Sequence, residues 1–397
     1  MTAGGAGFAP HGHSSATEAE KYLLSPDTSR ESPPRALLTN LQYVRAAAAC
    51  LVVLYHARLL TTLGQSLPLE FGRAGVDIFF VISGFIIQHV AARDDVGRPG
   101  AFMVKRLIRI APLYWLLTLL IGVAGPFIPA LASKAGIPDI WMVLRSLLFI
   151  PYVDPAGEIH PVLFIGWTLN YEMFFYVLFA AGLLIRDASL RLITLSIVLG
   201  ALVAVGFAID PDSAIGRTYT SPLLLEFGAG LWLHRLWQGA CDRHVHARNR
   251  IFALLILTGA ALALVMGATL WPAIPDIVKW GVPAFAIVAS ALMLERGDGR
   301  AGHPMLLRLG EASYAIYLIH PFVIKALSVL AGGFFRDATA PMQAFIMVAT
   351  LIVVGVVGVA LHLFVEQPLL KALRRRFVAR RTGPSGARLT VQAETLR

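Results

Sequence analysis

The sequence predicts an all-α fold, a polytopic membrane helix bundle of about ten transmembrane helices with both termini in the cytoplasm. Composition is the first observation behind this class: 57% of the 397 residues are hydrophobic and only 15% are charged, which excludes an ordinary soluble domain. Second, the apolar residues form runs close to the roughly 20 residues that a helix needs to cross a bilayer. Third, most of the 34 Lys and Arg residues lie in alternate loops and in the two tails, as is typical of cytoplasmic segments.

The apolar runs predict the individual spans. They cover residues 38–63, 73–92, 107–129, 162–185, 190–209, 219–238, 251–270, 276–294, 309–331 and 341–366. The spans divide the chain into a cytoplasmic N-terminal tail (1–37), a transmembrane domain (38–371) and a basic cytoplasmic C-terminal tail (372–397). The first tail is rich in Ala, Gly, Ser and Pro and is predicted to be disordered, whereas the basic tail is predicted to contact anionic membrane lipid. The net charge of +10 therefore reflects the predicted cytoplasmic loops and tails, and no nucleic-acid partner is predicted from it.

The first predicted span, LQYVRAAAACLVVLYHARLL, contains two ionisable side chains, Arg45 and His56. Such groups are unfavourable inside a membrane unless they face a polar cavity or each other, so their presence indicates a functional site. Their offset of eleven residues is about three helical turns, which places both on nearly one face and about 16 Å apart along the axis. We therefore expect a site that holds an anionic ligand at one end and performs chemistry at the other.

The second span opens with GVDIFFVISGFII, which places Asp77 about one turn below the outer surface. There it is predicted to reach His56. A carboxylate beside an imidazole fixes the tautomer and raises its basicity, as a general base requires. The alternative is that Asp77 caps the helix N-terminus, where negative charge is favoured.

The third span begins with KRLIRIAPLYW, in which Lys105, Arg106 and Arg109 form a basic cluster at a cytoplasmic helix end. One interpretation is a topology signal. The other is a phosphate-binding site, because guanidinium groups bind phosphate through paired donors.

Two further motifs place polar side chains inside apolar helices. In GWTLNYEMFFY, Glu172 lies near the middle of the fourth span and requires a partner. In SYAIYLIHP, Ser313, Tyr317 and His320 follow at offsets of four and three, so all three project from one helical face. We expect these four residues to bind substrate. The alternative for His320 is a buried packing residue, and no metal site is predicted.

Six motifs in this order resemble the integral-membrane acyltransferase family three, and especially its stand-alone exopolysaccharide-production branch. They are YVRAAAACLVVLYHA, GVDIFFVISGFII, KRLIRIAPLYW, GWTLNYEMFFY, SYAIYLIHP and VEQP. The resemblance covers about residues 38–371. It implies a ten-helix enzyme of the bacterial inner membrane that takes an acyl group, commonly acetyl, from cytoplasmic acyl-coenzyme A and transfers it to a carbohydrate hydroxyl. It also implies that Arg45 and His56 are needed for activity.

The implied partners are acetyl-CoA as the donor substrate, a carbohydrate acceptor on an exopolysaccharide or its lipid-linked precursor, membrane lipid and the polysaccharide-synthesis machinery. No permanently bound cofactor is expected. Two roles remain open for His56, which either acts as general base on the acceptor hydroxyl or carries the acyl group itself. The competing functions are a transporter or flippase of a lipid-linked glycan, an acyltransferase for a macrolide or lipid acceptor, and a non-catalytic scaffold.

Overall fold

Helices correspond to each of the ten predicted apolar runs in the computed structural model of the chain. The structure describes residues 1–2, 38–128, 136–241, 247–295 and 302–377, and no β-strand forms within these ranges. The predicted disorder of the N-terminal tail and most of the predicted basic tail fall on residues 3–37 and 378–397, which lie outside the described residues.

In chain order the first seven helices are α1 Thr39–Ala57, α2 Ala74–Asp94, α3 Pro99–Ala124, α4 Ile140–Leu147, α5 Trp167–Gly182, α6 Ala188–Ile209 and α7 Ala214–Tyr219. The next seven are α8 Leu224–Cys241, α9 Ala247–Leu270, α10 Val282–Met293, α11 Pro304–Glu311, α12 Ser313–Ala331, α13 Ala340–Leu361 and α14 Gln367–Phe377. Short helical turns at Arg58–Leu60, Thr62–Ser66, Leu69–Arg73, Phe164–Gly166 and Phe334–Asp337 fill the connections. Two π-helical turns, Ile277–Gly281 and His362–Glu366, precede α10 and join α13 to α14.

Length and hydropathy identify the helices that can cross a membrane. Within the described part of the chain, six segments are long and apolar enough: Thr39–Leu60, Pro99–Ala124, Ala188–Ile209, Arg250–Leu270, Ser313–Ala331 and Ala340–Phe377. The other four predicted spans correspond to α2, α5, α8 and α10. Their crossing of the membrane, and the cytoplasmic position of both termini, remain predictions.

Glycine sets the close helix contact between α2 and α8. A Cβ atom on Gly84 would collide with the backbone carbonyl of Phe227, and one on Gly230 would collide with that of Val81. The two backbones therefore approach as closely as small residues permit. The rings of Phe80 and Phe227 stack beside this contact with centroids 4.5 Å apart.

Helix α1 lies in the interior, where it packs against α2, α10, α11, α12 and α13. The side chains of Ala48, Ala49 and Ala57 are fully buried. Their small size lets the neighbouring helices come close to the backbone. Arg45 and His56 of α1 are held against α12, where the candidate site lies.

Candidate active site

Two histidines from different helices lie against each other. The imidazole rings of His56 in α1 and His320 in α12 have centroids 4.9 Å apart. His320 is fully buried, whereas His56 is half-buried and also contacts the ring of Phe164 at 5.7 Å. The structure thus joins the predicted catalytic histidine to a histidine that the sequence predicted as a substrate-binding residue.

The tautomer of His320 follows from its neighbour in the sequence. Pro321 has no backbone N–H, so the carbonyl of Tyr317 four residues earlier has no helical partner. The Nδ1 atom of His320 lies 2.6 Å from that carbonyl oxygen. Because a carbonyl only accepts, Nδ1 carries the proton, and the lone pair of the neutral ring is on Nε2. This Nε2 atom is buried and has no hydrogen-bond partner among the described residues.

His56 is oriented in the same way. Its Nδ1 atom lies 2.9 Å from the carbonyl oxygen of Val52. Nδ1 is therefore the donor, and Nε2 of the neutral ring is the basic nitrogen. Each ring of the pair keeps an acceptor nitrogen that the backbone does not use, which is the state a general base requires.

In the structure the neighbour of Asp77 is Glu226 and not the predicted His56. The carboxyl group of Asp77 lies within electrostatic reach of the Glu226 carboxyl in α8, whose two oxygen atoms have no hydrogen-bond partner among the described residues. Nδ1 of His56 contacts the carbonyl of Val52 and not Asp77, and a catalytic role for Asp77 remains a prediction. Asp77 does lie in the first turn of α2, where a negative charge is favoured by the helix dipole.

Arg45 connects the same two helices farther along α1. Its Nη2 atom donates to Oγ of Ser313 at 2.9 Å, and its Nη1 atom donates to Oε1 of Gln42 at 3.0 Å. Arg45 contacts Ser313 at the start of α12, and His56 contacts His320, which lies seven residues further along α12. Helices α1 and α12 therefore run side by side in the same direction, and Arg45 and His56 face a common neighbour as their spacing predicts.

A second guanidinium group lies close to Arg45. Arg109 forms an ion pair with Glu366 at 2.5 Å, and both residues lie within electrostatic reach of Arg45. Glu366 is also 2.7 Å from Nδ1 of His362. The π-helical turn that contains His362 and Glu366 directs both side chains inward, and π-turns are frequent at functional sites.

The rest of the predicted basic cluster has separate surroundings. The Lys105 ammonium lies 2.6 Å from the buried carboxylate of Asp95. The Arg106 guanidinium lies over the rings of Phe102 and Tyr176, at 5.4 and 5.9 Å from their centroids. Of the three cations, Arg109 is the one that acts on Arg45 within electrostatic reach.

Glu172 and Tyr317 are both hydrogen bonded within the protein. Glu172 accepts from Oγ of Ser83 at 2.9 Å and from the hydroxyl of Tyr176. The Tyr317 hydroxyl donates to the carbonyl of Ile165 at 2.9 Å. Tyr317 thus joins α12 to the turn before α5, whereas Ser313 and His320 contact α1.

Sequence reasoning missed Glu366 and Phe164. The structure pairs Glu366 with Arg109. The spacing of four residues between His362 and Glu366 indicates a side-chain pair and is the signal that could have found it. Nothing in the sequence marks Phe164 as a neighbour of His56, because the two residues meet only through folding.

Comparison with known proteins identifies the family. The family model of the acyltransferase domain matches residues 38–364. The chain belongs to this acyltransferase family. All of the predicted site residues lie inside the matched region, from Arg45 to His320.

The relatives of this chain include proteins named for polysaccharide production and for acyl transfer. The exopolysaccharide production protein ExoZ of Rhizobium meliloti (strain 1021) is 37% identical over 310 residues, which cover 77% of this chain and 92% of ExoZ. Acyltransferase MdmB of Streptomyces mycarofaciens is 29% identical over 346 residues, covering 79% and 85% of the two chains. The peptidoglycan O-acetyltransferase OatA of Listeria monocytogenes is 23% identical over 377 residues, covering 85% of this chain and 56% of OatA. No solved structure matches the chain.

These findings confirm the resemblance drawn from the six motifs. The protein is an O-acyltransferase. The choice between an enzyme and a transporter is thereby decided in favour of the enzyme, and the histidine pair becomes the candidate for its chemistry.

Proposed function

We propose that this enzyme moves an acyl group, acetyl in the first instance, from cytoplasmic acyl-CoA to a hydroxyl of an exopolysaccharide or of its lipid-linked precursor. The observation that carries the proposal is the contact between His56 and His320, each with a basic Nε2 atom, on the helices that also hold Arg45. Similarity to ExoZ supports an exopolysaccharide acceptor, and similarity to OatA supports acetyl as the group transferred. We place the enzyme in the bacterial inner membrane with ten crossings and both termini in the cytoplasm.

The proposed reaction needs one base. Nε2 of His56 takes the proton of the acceptor hydroxyl while the hydroxyl oxygen attacks the thioester carbonyl carbon. The carbon–sulfur bond breaks, and the leaving thiolate takes the proton back from the imidazolium. The products are an ester on the sugar and free coenzyme A, and His56 returns to its starting state. His320 lies beside His56. It either accepts a hydrogen bond from the acceptor hydroxyl or holds the imidazole ring of His56 in position.

The donor occupies the other end of the site in this proposal. Arg45, Arg109, Arg106 and Lys105 bind the phosphates of coenzyme A, with the largest share on Arg45, because Asp95 already holds Lys105 and Glu366 already holds Arg109. The distance from Arg45 to His56 along a helix, about 16 Å, is comparable to an extended pantetheine arm. Guanidinium groups suit this role because their paired donors match phosphate oxygens.

The remaining predicted residues complete the proposed site. Ser313 holds the Arg45 guanidinium in place. Tyr317 fixes the turn that carries Phe164, and Glu172 binds substrate hydroxyls when its hydrogen bond from Ser83 opens. Asp77, whose neighbour is Glu226, makes no direct contact with His56 in this proposal.

A reconstituted assay tests the proposal. Purified protein in liposomes is given acetyl-CoA labelled on the acetyl carbon together with polysaccharide from the producing strain, and both free thiol and label on the polysaccharide are measured. We expect thiol and labelled polysaccharide in equal amounts. Label found only in the lipid fraction would show that the acceptor is a lipid and not a carbohydrate. Glycan uptake into the vesicles without thioester consumption would overturn the proposal.

A donor-only mixture separates the two roles of His56. Acid quenching of the enzyme with labelled acetyl-CoA and no acceptor is followed by peptide mass spectrometry. We expect no acyl group on the peptide that contains His56. An acyl-imidazole on that peptide would make His56 the acyl carrier and contradict the base mechanism.

A further inference from the structure

A separate open pocket lies beside the N-terminal end of α5. Its volume is about 270 Å³, and the side chains that line it include Glu158, His160, Trp167, Asn170, Tyr171 and Arg217. This volume is close to the lower end of the roughly 300 to 1,000 Å³ of small-molecule sites. It suits a single ring of a longer chain. None of these six residues belongs to the site described above.

Asn170 is the observation that points to a ligand. Its side chain is only 2% exposed, and its Oδ1 atom has no hydrogen-bond partner among the described residues. A buried acceptor without a donor costs about 1 to 3 kcal/mol. Asn170 lines the pocket, so a rotation of its side chain towards the pocket would let a bound hydroxyl group supply the missing donor to Oδ1.

The other lining groups have the chemistry of a carbohydrate site. The rings of Trp167 and Tyr171 meet almost at right angles, with centroids 5.8 Å apart, and offer flat apolar surfaces for the C–H face of a sugar ring. Glu158 and Arg217 lie at the exposed mouth, where they provide an acceptor and a donor for hydroxyl groups. One acidic and one basic group do not make a phosphate site, so the pocket does not suit the donor.

A short chain of rings links the pocket to the histidine pair. The ring of His160, in the pocket wall, lies 6.1 Å from that of Phe164. The ring of Phe164 lies 5.7 Å from that of His56. The ring of Phe164 therefore separates the pocket from His56, and a glycan with one ring in the pocket would reach His56 by displacing this one ring.

We propose that this pocket is the acceptor subsite, which binds one pyranose ring of the glycan and so decides which hydroxyl reaches His56. This assignment rests on the proposed function for its role in transfer. The binding of a sugar at the pocket does not depend on the donor or on catalysis, so the two proposals can fail separately.

Binding of defined glycosides tests the subsite. The protein is placed in nanodiscs free of sugar-based detergent, and saturation-transfer NMR is recorded with the methyl glycosides of glucose, galactose, mannose and N-acetylglucosamine. We expect at least one of them to bind. Trp167→Ala and Asn170→Leu should each raise its Kd about tenfold or more, since each loses about 1.4 kcal/mol of contact or hydrogen bonding.

Matched variants control for folding. Trp141 is 66% exposed and lies outside the pocket, so Trp141→Ala should bind the glycoside as the wild type does. Arg217→Ala alters only an exposed mouth residue and should raise Kd by about threefold, the loss of one exposed hydrogen bond. Asn170→Asp keeps an acceptor oxygen and should bind better than Asn170→Leu. Failure of all four glycosides to bind, or equal binding by wild type and both pocket variants, would overturn the subsite.

The acetyl-transfer assay then separates the two proposals. Arg217→Ala should raise the acceptor KM by about threefold, with kcat within about twofold of wild type, because uniform binding affects KM alone. Acetyl transfer without glycoside binding would contradict the proposed subsite but support the proposed function. Glycoside binding without any thioester consumption would support a carbohydrate-binding pocket but contradict the proposed function.

Discussion

Nδ1 of His320 donates to the carbonyl oxygen of Tyr317 at 2.6 Å, and this is the carbonyl that Pro321 leaves without a backbone donor. One proline thus both frees an acceptor inside α12 and fixes the ring that lies against His56. The orientation of the buried histidine is encoded within five consecutive positions of the sequence, from Tyr317 to Pro321. A backbone carbonyl, in place of the carboxylate of a catalytic triad, keeps Nε2 of His320 as the lone-pair nitrogen.

Replacement of this proline tests the arrangement. Pro321→Ala restores an N–H that competes with His320 for the Tyr317 carbonyl, so the ring loses its fixed orientation. We expect the acyl-transfer rate to fall by about tenfold, less than the hundredfold or more expected when a general base is removed. Pro112, the proline inside α3, provides the control, and Pro112→Ala should keep most of the activity. Equal losses in the two variants would show that the Pro321 effect is one of helix geometry alone.

The ion pair between Arg109 and Glu366 should stabilise the bundle. The Glu366 side chain is 2% exposed, and removal of one partner leaves a buried charge uncompensated. We expect Glu366→Gln to lower the free energy of unfolding by about 3 kcal/mol, measured by detergent-induced unfolding in mixed micelles.

An exposed pair serves as the comparison. Arg73 and Asp276 are 3.3 Å apart and about half exposed. Asp276→Asn should therefore change the free energy of unfolding by less than about 1 kcal/mol. A loss in Glu366→Gln no larger than in Asp276→Asn would contradict the buried role of the Arg109 pair.

The donor site makes a prediction about two cations of the first and third spans. Arg45→Ala should raise the KM for acetyl-CoA by about tenfold or more, because a phosphate loses a charge-assisted bond worth about 1.5 to 3 kcal/mol. Lys105→Ala should raise it by less than about threefold, since Asp95 already neutralises Lys105. Arg45→Lys should fall between wild type and Arg45→Ala. Steady-state kinetics at saturating acceptor measure the KM of all three variants. A larger effect at Lys105 than at Arg45 would show that the phosphates bind at the start of α3.

The contact of α2 with α8 makes a prediction about stability. Gly84→Ala places a methyl group against the carbonyl of Phe227 and should lower the free energy of unfolding by about 2 kcal/mol, as overpacking does. A methyl group on Gly200 would meet open space within the described part of the chain, so Gly200→Ala should instead raise stability by about 0.5 to 1 kcal/mol. Both values come from the same unfolding titration. A stable Gly84→Ala protein would show that the two helices can separate at little cost.

Features set by one helix could be predicted from the sequence. The shared face of Arg45 and His56 follows from the helical period, and both residues do contact α12. The offset of Ser313 and His320 similarly places both against α1. Such relations depend on 3.6 residues per turn and need no knowledge of which helices are neighbours.

Features set by packing could not be predicted. Asp77 lies at the predicted place in α2, but its partner depends on which neighbour faces that turn, and the neighbour is Glu226. The pairing of Arg109 with Glu366 likewise joins residues 257 positions apart. The pocket around Asn170 depends on loop 157–160 and α7 folding against α5, which no local pattern reveals.

The most direct test of the central claim is the rate of thiol release from acetyl-CoA, in the presence of the acceptor polysaccharide, by His56→Gln. The same substitution at His303, an exposed histidine at the start of α11, is the matched control. We predict that His56→Gln lowers the rate by about 10² to 10⁴-fold, the contribution of a positioned general base, and that His303→Gln stays within about twofold of wild type. Equal thiol release by wild type and His56→Gln would contradict the assignment of the chemistry to the histidine pair.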